Sequence, residues 1–170
     1  MKALAFRRVS GPTDYFVVLQ TTKDPERGEW DDYMAELELV LSQPGPTVPL
    51  LIATDGGSPN GAQREQLARL VTRRGRTAMS HVFGNSAVLR LVVNAFLWIA
   101  RERAEFHAPA AFSQVCDAHE VTARDALAQL ADLQRDFAPV EVLKLITAGI
   151  VGSTGIVVDS RAASHRDHAR

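Results

Sequence analysis

The chain contains one cysteine, Cys116, and three lysines, Lys2, Lys23 and Lys144, in 170 residues. One thiol excludes an intrachain disulfide, so stability has to come from a buried core, for which this length suffices. A net charge of -1 gives no general attraction to nucleic acid or to an anionic membrane. Met1 to Arg8 holds neither a long apolar core nor a small-residue cleavage site, so a reducing cytoplasm is expected. Metal-ligand clusters, nucleophile constellations and a full nucleotide-binding fingerprint are missing too, so no cofactor and no catalysis are expected.

What is present is an alternation of short apolar runs and amphipathic helices. Leu4 to Val9 and Tyr15 to Thr21 are strand candidates separated by Ser10-Gly11-Pro12-Thr13-Asp14, a break of hairpin length, and are expected to pair antiparallel. Trp30, Tyr33, Met34, Leu37, Val40 and Leu41 recur with the period of a helix that buries one face, and Pro44 and Pro46 end it. Val48 to Thr54 suits a central strand buried on both faces. The turn Thr54-Asp55-Gly56-Gly57-Ser58-Pro59-Asn60-Gly61 leads into a second helix that buries Leu67, Leu70 and Val71. That helix starts either at Ser58, with Pro59 at its first position, or at Asn60, with Gln63 as reciprocal cap.

Arg73-Arg74-Gly75-Arg76 closes the second helix, and Thr77 to Phe83 reads as the next strand. Gly84-Asn85-Ser86 caps a third helix running to about Arg101. A short strand at Ala104 to His107, Pro109, and a fourth helix burying Phe112, Val115 and Cys116 follow. Parallel strands need helical crossovers, so this order predicts an α/β fold with a mixed sheet of four to five strands.

The order of elements from Leu4 to Val121 resembles the STAS domain shared by sulfate transporters and anti-sigma-factor antagonists. The segments that carry the likeness are Leu50-Leu51-Ile52-Ala53-Thr54-Asp55-Gly56-Gly57-Ser58 and Thr77-Ala78-Met79-Ser80-His81-Val82-Phe83-Gly84. Phosphorylatable members carry Asp-Ser-Ser-Gly or Asp-Ser-Thr-Gly before the second helix. Here Asp55 matches, but Gly56 stands where the phosphorylated hydroxyl belongs, so the phospho-switch does not transfer intact. The resemblance implies a non-enzymatic regulatory module whose partner surface lies around Asp55, Gly56, Gly57 and Ser58. Ser58 is then either a displaced phosphate acceptor or simply a helix cap.

The same Thr54-Asp55-Gly56-Gly57-Ser58 segment is similar to the first strand of ribonuclease H-like nucleases, in which the aspartate binds a divalent ion. Helical periodicity from Ala62 to Arg74 argues against the second hairpin strand that such a site needs.

From Ala87 to Ala100 only Arg90 and Asn94 are polar, so apolar residues remain after one face of the third helix is filled. Val93, Leu97 and Trp98 are therefore expected to form a surface for a protein partner or for self-association as a homo-oligomer. Cover by a helix of the same chain is the competing expectation.

Residues 122–158 form a helical extension beyond the α/β domain of residues 1–121, and residues 159–170 read as a disordered tail. Thr122 is the expected cap of a helix burying Ala126, Leu127, Leu130, Leu133 and Phe137. Val140, Leu143, Ile146 and Ile150 share the face of another. The stretch from Pro139 to Val158 approaches membrane-spanning length, but Glu141, Lys144 and the glycines favour docking on protein over insertion. A pocket between sheet and extension would suit the alternative role of a small-ligand or lipid carrier.

The five histidines, His81, His107, His119, His165 and His168, show no pair with ligand spacing on one rigid element. His119 is read as a rim residue, and His165 and His168 as solvated tail residues. Arg69, Arg73, Arg74 and Arg76 read as a solvated helix end, with no interleaved aromatics to suit nucleic acid.

Overall fold

The computed structural model describes residues 2–71, 75–87, 104–135, 137 and 139–153. Strands β1 (Leu4–Val9), β2 (Tyr15–Gln20), β3 (Val48–Thr54), β4 (Ala78–Phe83) and β5 (Ala104–His107) form one sheet in chain order. β1 runs antiparallel to β2 and the remaining pairs are parallel, as the sequence predicts. Helix α1 (Arg27–Leu41) connects β2 to β3, and α2 (Gly61–Val71) connects β3 to β4. After β5 the chain makes a 3-10 turn (Pro109–Ala111) and then forms α3 (Phe112–Ala118), α4 (Ala123–Gln134) and α5 (Glu141–Ser153). The third helix expected from the sequence, with Val93, Leu97 and Trp98, lies outside the described residues.

Alternation along the strands divides the core into two layers. Even-numbered residues, among them Phe16, Val18, Val48 and Leu50, meet α1 and α2, including Trp30, Tyr33, Leu37 and Leu67. Odd-numbered Val17, Leu19, Leu51, Ala53 and Phe83 meet Phe112, Leu130, Val140 and Ile146 of the C-terminal helices. The extension therefore covers the sheet face opposite α1 and α2. Among the described residues no helix is long and apolar enough to cross a membrane.

Local chemistry explains the helix starts. The Glu29 carboxylate accepts the Glu26 amide at 3.2 Å in a capping box and also takes the Ala3 amide at 3.1 Å, tying β1 to α1. At α2 the Asn60 start prevails: Gln63 N–H donates to Asn60 Oδ1 at 3.0 Å, and Asn60 N–H donates back to Gln63 Oε1 at 2.8 Å. Ser58 is thus not the cap. Thr122 occupies the cap position of α4, but its hydroxyl makes no capping hydrogen bond. Arg76 departs from the solvated helix end read from the sequence. It is 8% exposed, and its guanidinium binds Asp14 Oδ2 at 2.7 Å and the Pro46 carbonyl, pinning the β1–β2 turn to the approach to β3.

Candidate functional site

The turn after β3 is built from close backbone contacts. Gly56 has φ +127°, a conformation that side chains oppose, and Thr54 Oγ1 accepts its amide at 3.1 Å. Gly57 N–H donates to the Thr21 carbonyl at 2.9 Å, and a Cβ at Gly57 would run into the carbonyl oxygens of Thr21 and Lys23. Ser58 is half-buried, and its amide donates to Asp24 Oδ1 at 3.4 Å. The double glycine therefore lets the turn lie against the β2–α1 loop.

Asp55 reaches across the fold. Its Oδ2 accepts the Glu141 amide at 2.7 Å and its Oδ1 the Val142 amide at 2.9 Å. Each helix start leaves orphan amides, and here a carboxylate from a loop 86 residues earlier satisfies two of those of α5. The anion beside a helix N-terminus is thus Asp55 itself, and the helix belongs to the extension. Residues after the turn form α2, so the hairpin strand that a ribonuclease H-like site needs is not there.

A second cluster sits where β4 and β5 meet α3. In the register, Leu51 pairs with His81 and His81 with Glu105, while Phe83 pairs with His107. These positions share one sheet face, so the rows across the sheet turn from apolar to polar toward β5. His81 Nδ1 stands 3.0 Å from His107 Nε2, and Glu105 Oε2 lies 3.8 Å from the first and 3.4 Å from the second. On its other side His81 Nε2 meets His119 Nε2 at 2.7 Å.

His119 is the C-terminal cap residue of α3, and the reversal behind it is an αL turn. Glu120 has φ 57°, the Val121 amide reaches the Cys116 carbonyl at 3.0 Å, and the Glu120 amide reaches Asp117 at 3.1 Å. The Phe83 ring stacks on His107 at 5.4 Å between centroids. A cleft of about 520 Å³ opens on the cluster, walled by Met79, Ala111, Gln114, Val115 and Ala118.

Burial, reinforced by the His119 and His107 rings, lowers the His81 pKa to about 4. Burial also lowers that of His107, against the raising effect of Glu105. Burial pushes the Cys116 thiol up to about 12, which leaves it unreactive at neutral pH.

No two of the histidines His81, His107 and His119 lie on one element, and the fold brings them together from β4, β5 and the end of α3. Spacing within a single element carries no sign of a cluster that forms across two strands and a helix end. One signal was legible: Glu105 and His107 alternate on one strand, so they share a face. The partner strand's register was not legible. Comparison with protein-family models, with curated proteins and with solved structures finds no match to this chain.

Proposed function

We propose that the chain is a cytoplasmic, non-enzymatic regulatory module of STAS-like type that binds a protein partner, with the Asp55 turn as its control point. The observation that carries this reading is the cap that Asp55 places on α5. It makes docking of the C-terminal helix depend on charge at the same turn where the resembling family places its switch. α5 buries Val142, Leu143 and Ile146 yet leaves Leu145 42% and Val151 67% exposed. A helix apolar on two sides can serve the sheet and a partner at once. A phosphate on Ser58 would meet the Asp24 carboxylate that its own amide binds, a like-charge contact that loosens the turn.

The cleft beside His81 favours the small-ligand carrier as a second reading, since its volume falls in the usual ligand range of about 300–1,000 Å³. Purification of the full chain from its own cells separates the two. The module reading expects a stoichiometric protein that Leu145→Glu with Val151→Glu removes without loss of fold. A small molecule released on denaturation, with no protein retained, overturns it. Intact mass then tests the switch: an added phosphate that Ser58→Ala abolishes supports it, and an unmodified wild type removes Ser58 from the mechanism.

A further inference from the structure

Three lone-pair atoms face one another at the β4–β5 edge: His81 Nδ1, His107 Nε2 and Glu105 Oε2. If His107 carries its proton on Nε2, that single N–H must serve both His81 at 3.0 Å and the carboxylate at 3.4 Å. One proton cannot satisfy both acceptors well. A cation at the centre satisfies all three.

The geometry fits such an ion. Separations of 3.0, 3.4 and 3.8 Å define a triangle. A point slightly above its plane is about 2.1 Å from each atom, the bond length of zinc to imidazole nitrogen and carboxylate oxygen. Edges of a tetrahedral site with such bonds are about 3.4 Å, the middle of this range. Two imidazoles and one carboxylate suit zinc, cobalt, nickel or copper, whereas magnesium and calcium want oxygen ligands.

The surroundings also suit a ligand set. All three side chains project from paired strands, which hold them more rigidly than loops would. When His81 Nδ1 faces an ion, its Nε2 carries the proton and donates to His119 Nε2 at 2.7 Å, the outer hydrogen bond that fixes a ligating imidazole. Phe83 stacks on the ring of His107 and limits its rotation. Glu105 is 57% exposed, and the cleft opens on the cluster, so an ion has a way in and a fourth position for water or a ligand.

We propose that His81, His107 and Glu105 form a three-ligand site for a zinc-class divalent ion, that His119 orients His81, and that the fourth coordination position opens into the cleft. This goes beyond the regulatory reading and does not depend on it. The competing account is a metal-free chain of hydrogen-bonded imidazoles.

The test uses the full chain, stripped with chelator and titrated with Co²⁺. One equivalent is expected to bind with the intense visible bands of a four- or five-coordinate site, and Zn²⁺ is expected to displace it. Glu105→Gln, a change at an exposed side chain with the fold to be checked by circular dichroism, should weaken binding by at least about 10-fold. His107→Ala should weaken it further, and His119→Phe about 10-fold through the lost orientation. The double change His165→Ala with His168→Ala should leave binding unchanged. No uptake at a few equivalents of Co²⁺, undiminished binding in folded Glu105→Gln, or loss of binding on changing the tail histidines would each overturn the proposal. Should His107→Ala fail to fold, Glu105→Gln still decides.

Discussion

On the α1–α2 side of the sheet, even-numbered Leu4, Phe16, Val18, Val48, Leu50 and Ala78 enter one apolar layer with the two helices. Tyr33 meets Phe6 at 5.3 Å, Trp30 at 5.7 Å and Phe16 at 6.4 Å, all edge to face. On the other side the odd-numbered row through Arg7, Val17, Leu51, His81 and Glu105 is apolar at its centre and polar toward β5. The same strands thus serve two ends. One face only stabilises; the other adds polar groups at its β5 edge and, just beyond β3, a carboxylate that holds a helix.

The comparison breaks first if both faces unfold as one. Leu37 is fully buried on the sheet-facing side of α1, and Leu37→Ala should cost about 2–5 kcal/mol in denaturant unfolding, through lost transfer energy and a residual cavity. Ile146 is equally buried but sits on α5, whose docking depends on Asp55. Ile146→Ala should cost less, because α5 can detach as a local unit before the sheet opens. Equal losses would make the molecule a single cooperative body and remove the distinction.

Acid should act on the polar face before the apolar one. The folded-state pKa of His81 is lowered to about 4, while the unfolded chain titrates near 6.5. As pH falls through 6.5 the unfolded state takes the proton first, so stability drops between pH 6.5 and 4 and is fully present above that window. A shift of this size corresponds to about 3 kcal/mol. Metal-free His81→Gln, although weaker at pH 7, should show a flatter profile across the same window. Asp14 works lower. The hydrogen bond from Arg76 depresses its pKa below 3.8, so its contribution is present above that value and lost only as pH falls further. A wild-type profile flat from pH 7 to 4.5 would refute the His81 account.

Asp55→Ala should remove the cap and cost about 0.5–2 kcal/mol, the range for an N-cap loss. Hydrogen exchange sharpens this. Amides of α5 should lose protection while those of β2 and β3 keep theirs, because the Asp55 carboxylate holds the helix while its backbone amide, unchanged by the substitution, keeps its bond to Gln20 of β2. Uniform loss across the sheet would mean that the turn itself had collapsed.

Most of the fold was legible because it is written in local periodicity. Each apolar position singled out in α1, from Trp30 to Leu41, is buried, and the parallel order of β2, β3 and β4 follows from α1 and α2 standing between them. The turn was legible in its glycines, where Gly56 supplies the unusual φ and Gly57 the close approach. Its partner was not. Asp55 caps a helix that starts at Glu141, and nothing in either segment encodes that distance. The histidine cluster was hidden for the same reason: it depends on which residue of β4 stands beside which residue of β5, and one register step would have sent His81 to the other face.

The smallest effect expected concerns the turn that sets His119. Glu120 adopts φ 57° at the position where helices of this ending commonly place glycine. The left-handed conformation costs a side-chain-bearing residue about 1–2 kcal/mol, and glycine would give back part of that through its freer unfolded chain, so Glu120→Gly should stabilise by no more than about 1 kcal/mol. Glu120→Val should destabilise, since a branched Cβ fits this backbone least well. Because the Val121 and Glu120 amides already hold the ending to Cys116 and Asp117, glycine should leave His119 in place against His81. Cobalt affinity should therefore stay constant in Glu120→Gly while the denaturation midpoint rises. An affinity that falls as stability rises would show that the strained glutamate, and not the hydrogen-bonded turn, holds the imidazole in position.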